Sequence, residues 1–388
     1  MTSLSRALRE VGVILGRLRL ALPALLLVVT TGCFSDSPAT PDQETARPDA
    51  GHVVHPGPVL GVPADREDPA SHAVVARILE LIENTPAGER IRIVGRSFSL
   101  QPVASAMIAA HERGVRVQIA INGAASRDFK AVARMTEAFG TDRSADSFVH
   151  LSPRSAPRSH QKIWTFTRTG ESRRVVLFGS ANLSYLSLQQ YSDMYVFVGR
   201  DRLWRVAQRN FRDRAGLAPG STHGLNARFG HDELWLYPKA EGTTDPVLQV
   251  LAPLPADQMT LRIVAHAWYG PRGDRIARTA VDKFRAGARV EVIGATVGDS
   301  VRAILENAGV PVHPGRFANG EDVHNKLMLV QWVDQAGKRR RTILTGSDNW
   351  AAESFERSEG VMAIDASHGP AWSAYLHWYA GLRDRSVR

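Results

Sequence analysis

Two long stretches of this sequence read alike about 170 residues apart, and that duplication constrains the fold more than any other feature. Residues 91–94, Ile-Arg-Ile-Val, form a short apolar strand pattern. A predicted helix over residues 102–113 follows, then Gly114 and a second strand at 115–119. Residues 261–264, Leu-Arg-Ile-Val, open the same series: a helix over 274–285, Gly287, and a strand at 288–292. Both helices stop at a glycine, the residue suited to a left-handed C-cap. Ile93 and Ile263 are 170 apart, His160 and His324 are 164 apart, and Asn182 and Asn349 are 167 apart. At 388 residues the chain also exceeds one ordinary domain. The expected fold is α/β: two pseudo-twofold-related lobes, residues 71–220 and 221–388, each with a largely parallel sheet and strand–helix–strand crossovers. Such a chain is a monomer that contains its own pseudo-dimer.

The second part of each repeat carries the chemistry. Ser159-His160-Gln161-Lys162 answers Val323-His324-Asn325-Lys326, and each opens a strand-like run. Residues i and i+2 of a strand face the same side, so each histidine and lysine point into one space. A turn and a returning strand then bring Gly179-Ser180-Ala181-Asn182, or Gly346-Ser347-Asp348-Asn349, back beside its own His-x-Lys. Where the lobes meet, two ammonium groups can clamp phosphate oxygens. One imidazole can attack phosphorus while the other protonates the leaving oxygen. Ser180 and Ser347 are candidate phosphate contacts. No acidic metal-ligand cluster lies beside these motifs, so neither metal nor cofactor is expected.

These paired motifs resemble the two signatures of the phospholipase D superfamily, and the resemblance covers residues 71–388. It implies two α/β lobes with the active site between them, and a covalent phosphohistidine resolved by water or an alcohol. By the same resemblance His160 is the nucleophile and His324 the acid, with Lys162, Lys326, Asn182 and Asn349 completing the catalytic set. The family pattern continues to an aspartate where this chain has Thr167 and Gln331. It also places a carboxylate about ten residues after Gly-Ser-x-Asn to hold a histidine ring. Asp193 and Glu359, 166 apart, occupy those places. With both carboxylates present, a working phosphodiesterase is expected in preference to a non-catalytic anion-binding lipoprotein.

Residues 1–32 look like an export signal: Arg6, Arg9, Arg17 and Arg19 against Glu10, then an apolar run over 20–29. That run is short for a bilayer span. The only cysteine, Cys33, follows Gly32 in a pattern resembling a bacterial lipobox. The expectation is a signal peptide at 1–32, lipid on Cys33 and a flexible tether over 33–70; a plain secreted protein or an uncleaved anchor are the alternatives. The full chain carries net charge +9, and the export segment accounts for +3, which leaves +6. That modest excess, with a membrane anchor, favours phospholipid as substrate. Nucleic acid, gripped by the basic run 338–341, is the alternative. Trp268 and Tyr269 are placed either at the substrate mouth or in packing, and Trp164 and Trp332 in the core.

Overall fold

Alternation of apolar residues builds the sheets of this computed structural model, which describes residues 51–387 except 155, 157, 219–223 and 239–242. Ile91 and Ile93 enter one apolar cluster while their neighbour Val94 enters another, as a two-sided buried strand requires. Strands in the first half run Gly57–Gly61 (β1), Arg90–Gly95 (β2), Arg116–Ile121 (β3), Phe148–Leu151 (β4), Ile163–Thr169 (β5), Ser172–Gly179 (β6) and Gln190–Val198 (β7). Their order in the sheet is β1-β7-β6-β5-β2-β3-β4. In the second half they run Leu225–Phe229 (β8), Asp232–Leu236 (β9), Thr260–Trp268 (β10), Arg289–Val297 (β11), Val312–Pro314 (β12), Asp322–Val323 (β13), Lys326–Val333 (β14), Arg339–Gly346 (β15) and Gly360–Asp365 (β16). The second sheet is ordered β12-β11-β10-β14-β15-β16-β9-β8.

The repeated units are in the expected places. β2 pairs parallel with β3, and β10 with β11. The intervening helices are Gln101–Glu112 and Gly270–Arg285, and the glycines beyond them, Gly114 and Gly287, have φ of 92° and 98°. The sheets are mixed, however, and not largely parallel. The hairpins β5–β6 and β14–β15 are antiparallel, and each joins β2 or β10 antiparallel as well. The turn at Gly170, with φ of 53°, is too short for the crossover that parallel strands need.

Helices Ala73–Glu83, Gln101–Glu112 and Lys130–Phe139 cover the outer face of the first sheet. Helices Pro246–Leu251, Gly270–Arg285 and Asp299–Glu306 cover the outer face of the second. The inner faces share one cluster in which Val94, Ile163 and Phe178 meet Val264, Leu327 and Ile343, together with helices Asp201–Arg214 and Ala371–Ser386. The two lobes therefore bury their facing surfaces in common.

The tether expected through residue 70 is shorter than that. Val54 is buried, its N–H donates to Ser172 Oγ at 2.9 Å, and β1 pairs antiparallel with β7. Val54 and Val59 give this segment apolar surface to bury, so residues from at least 54 belong to the first sheet's core. The proposed signal, Cys33 and residues 34–50 of the tether lie outside the described residues. No helix among the described residues is long and apolar enough to cross a membrane.

The halves also exchange backbone. β13, just before His324, pairs parallel with β7 of the first sheet, and Ser159, just before His160, forms a parallel bridge with Ser358.

Candidate active site

Those two exchanges place the histidines. His160 N–H donates to the Ser358 carbonyl and His324 N–H to the Tyr191 carbonyl, each at 2.8 Å. Both side chains reach the lobe interface, His160 with 4% and His324 with 3% of its surface exposed. Each lysine then turns back on its own histidine. Lys162 Nζ donates to the His160 carbonyl at 2.5 Å and Lys326 Nζ to the His324 carbonyl at 2.6 Å.

The hydrogen bonds fix the tautomers. His160 Nδ1 lies 2.7 Å from Glu359 Oε1 and 3.1 Å from the Ser347 carbonyl, while Arg96 Nη1 approaches Nε2 at 3.2 Å. A guanidinium can only donate, so Nε2 accepts and the proton sits on Nδ1. His324 Nδ1 meets the Ser180 carbonyl at 2.9 Å; a carbonyl can only accept, so Nδ1 is again the donor. The Nε2 lone pair of each ring therefore faces the site, that of His160 accepting from Arg96.

Burial, followed by the charges of Lys162, Lys326 and Arg96, pushes His160 well below the usual imidazole range. Burial and then Lys326 do the same to His324. Burial brings Lys326 down to about 7, with Glu359 opposing, and lowers Lys162 strongly. Glu359 is pushed up to about 8 by burial, against the pull of Lys162. Burial thus gathers desolvated lysine and arginine groups here, a strain that a phosphate dianion or diester anion would relieve.

Asp193 hydrogen-bonds neither histidine ring, contrary to the sequence expectation that it holds one. Its Oδ1 accepts from Ser180 Oγ and Asn325 Nδ2, each at 2.7 Å; its Oδ2 accepts from Thr345 Oγ1 at 2.5 Å and Tyr375 OH at 2.8 Å. The cause is register. Ser180 N–H bonds the carbonyl of Asp193, whereas Ser347 N–H bonds that of Gly360, so Glu359 stands one residue ahead of the true counterpart of Asp193.

The serines are also spent otherwise than expected. Ser180 Oγ donates to Asp193, and Ser347 Oγ donates to Glu359 Oε2 at 2.6 Å. Both hydroxyls also accept a backbone N–H, from Asp193 at 2.9 Å and from Gly360 at 3.0 Å. A hydroxyl has one proton, so neither is offered to phosphate. Asn182 and Asn349 keep a buried Oδ1 with no partner, so these two amides have hydrogen-bonding capacity in reserve.

The second Gly-Ser-x-Asn loop is anchored by a fully buried guanidinium. Arg272 bonds Asp245 at 2.8 Å, Asp348 at 2.7 Å and the Asn349 carbonyl at 2.8 Å. The first loop has Ala181 in place of Asp348. At the divergent family position, Thr167 Oγ1 accepts from Arg90 N–H at 2.7 Å and donates to Glu89 at 2.7 Å, a tie between strands. Gln331 Oε1 accepts from Arg341 at 3.3 Å.

Trp268 is fully buried with Nε1 bonded to the Gly273 carbonyl at 2.8 Å, so it packs; Tyr269 OH bonds Glu353. Trp164 is buried against Phe166, while Trp332 is half-buried. The basic run at 338–341 lies toward the far end of β14 from Lys326, with Arg341 opposite Gln331 and Arg339 opposite Val333, five to seven residues or roughly 17–23 Å along the strand. It is not part of this site. Sequence reasoning missed Arg96 and His266. The spacing of 170 that matches Ile93 to Ile263 also matches these two, each three residues beyond its duplicated isoleucine. No group of three or more His, Cys, Asp or Glu placed to hold a metal occurs among the described residues.

Residues 78–214 match the family described as "Cardiolipin synthase, PLD-like domain". Comparison with curated proteins by sequence gives no match. Among solved structures, the fold is similar to polyphosphate kinase from Porphyromonas gingivalis, with a TM-score of 0.53 and 15% identity over 81% of this chain and 48% of that one. This chain thus spans about half the length of that kinase. It is likewise similar to phosphatidylserine synthase from Haemophilus influenzae Rd KW20, with a TM-score of 0.54 and 14% identity over 85% of this chain and 88% of that one. Residues 78–214 thus match a PLD-like domain, and the duplicated motifs converge between two mixed sheets in a fold similar to that of these two structures.

Proposed function

We propose that this protein is a phosphodiesterase or phosphatidyl transferase that acts on phospholipids through a phosphohistidine on His160. The observation that carries the reading is the setting of the His160 ring. Nδ1 donates to the Ser347 carbonyl at 3.1 Å with Glu359 Oε1 2.7 Å away, so the Nε2 lone pair is the reactive one, and Arg96, which bonds that lone pair at 3.2 Å, would move onto phosphate oxygens when substrate binds. Nε2 forms a bond to phosphorus as the bond to the leaving oxygen breaks, and protonated His324 supplies that oxygen's proton. Neutral His324 then takes a proton from water or an alcohol, whose oxygen displaces His160 from phosphorus. Lys162 and Lys326 neutralise the charge that develops on the equatorial oxygens. Glu359 stabilises the positive charge that phosphorylation places on the His160 ring.

Phospholipid is favoured because the matched domain family is named for cardiolipin synthase and one similar fold is a phosphatidylserine synthase. An exported lipoprotein anchored through Cys33 would hold the site at a membrane surface. The test is incubation with labelled phosphatidylcholine and, separately, single-stranded DNA, both in chelator. Phosphatidic acid or a transferred phosphatidyl group, with a phosphorylated His160 trapped by acid-free mass spectrometry, is expected. Cut DNA with intact lipid would replace this reading by a nuclease.

A further inference from the structure

The pseudo-twofold is broken at one equivalent pair beside the reactive rings. Arg96 approaches His160 Nε2, but its counterpart His266 lies ring against ring with His324, centroids 4.4 Å apart and tilted by 50°. His266 is firmly placed. Its N–H donates to the Asn325 carbonyl at 2.8 Å, and its Nδ1 donates to the Val323 carbonyl at 2.9 Å. Both acceptors flank His324 in sequence, so His266 is tied to the backbone that carries the ring it touches. Lys326, Lys162 and Arg316 act on it electrostatically, and the Asp322 carboxylate lies 4.0 Å away. Burial and Lys326 bring its imidazole down to about 3, which agrees with an uncharged ring.

We infer that His266 is a positioning residue for the acid–base step, an uncharged plate that fixes the His324 ring and keeps a permanent cation away from it. The inference rests on the two-histidine reading above. In the first step His324 must carry a proton for the leaving oxygen among Lys162 and Lys326. A guanidinium at position 266, like that of Arg96 in the other half, would add a further positive charge against the imidazolium and withdraw the acid. Beside the nucleophile the same guanidinium does not oppose the reacting form, because His160 attacks neutral and Arg96 can exchange Nε2 for a phosphate oxygen. The Arg–His difference between equivalent places thus separates the two duties.

The test compares the phosphoenzyme burst of the wild type, His266→Arg and His266→Gln on phosphatidyl-p-nitrophenol and phosphatidylcholine. Nitrophenolate leaves without a proton, whereas choline needs one. His266→Arg should lose about 100-fold more on the choline ester than on the nitrophenyl ester, the scale of a general acid. His266→Gln, neutral and able to donate to the Val323 carbonyl, should recover most of that difference. The nitrophenyl burst also reports that each variant is folded. Equal losses on both esters, or none, would overturn the assignment. A wild type that forms no phosphohistidine from either ester would overturn the underlying mechanism instead.

Discussion

Glu359, from the second half of the chain, binds Nδ1 of His160, from the first, at 2.7 Å, while Asp193 touches neither histidine. Two carboxylates that look interchangeable in sequence have separate duties. One tunes a reactive ring; the other accepts four hydrogen bonds that tie together Ser180, Asn325, Thr345 and Tyr375.

Glu359→Gln should therefore slow phosphoenzyme formation by roughly 10- to 100-fold, the usual scale for a residue orienting a functional imidazole. Asp193→Asn should instead cost about 1–3 kcal/mol of stability, because an amide cannot accept at both former oxygens. Denaturant melts and single-turnover kinetics on both variants separate the effects. An Asp193→Asn protein of full stability but with the kinetic defect of Glu359→Gln would refute the division.

The pH profile of kcat/KM should fall as pH rises through about 7. Burial brings Lys326 to that value, so above it the free enzyme loses an ammonium group that the proposed mechanism places against phosphate. His160 lies well below its usual range, so it is already neutral on the acid side of that limb. Lys326→Arg, which stays charged, should move the alkaline limb upward by at least about one pH unit. A limb that does not move assigns the titration to another group.

Arg272→Met should destabilise the protein by about 3–5 kcal/mol, since it leaves Asp245 and Asp348 buried without their cation. Adding Asp348→Asn to that variant should restore part of the loss. Equilibrium unfolding of the single and double variants decides this, and additive losses would count against the buried network.

Mass spectrometry of the mature N-terminus should find lipid on Cys33, with residues 1–32 removed. An unmodified Cys33, or cleavage elsewhere, would exclude the anchor.

Much of this architecture was legible because duplication converts weak local patterns into paired ones. A lone His-x-Lys says little, but His160 and His324 at a shared spacing locate both hairpins and the seam between them. The strand ends and the C-capping glycines followed from apolar runs interrupted at Gly114 and Gly287. What escaped was register. Glu359 stands one residue before the counterpart of Asp193, which sends one carboxylate to a ring and the other into the core; the trace this leaves in the sequence is an offset of 166 for the carboxylates against 167 for the asparagines. Arg96 and His266 were hidden for another reason. Comparison of the copies searches for identity, whereas their meaning lies in being different residues at one place. Pro and Gly give residues 54–61 the look of a tether, although the apolar Val54 and Val59 are enough to hold that segment in the first sheet.

The backbone exchange at Ser159–Ser358 and Val323–Tyr191 has a mechanical consequence. Many two-lobed enzymes enclose their substrates by swinging one lobe about a hinge. Here the hydrogen bonds that hold both reactive residues cross the plane about which such a swing would turn, so gaping would pull the centre apart. On the proposed reading, substrate would come to a fixed seam and itself exclude water, as a molecule that lays apolar bulk over the opening can.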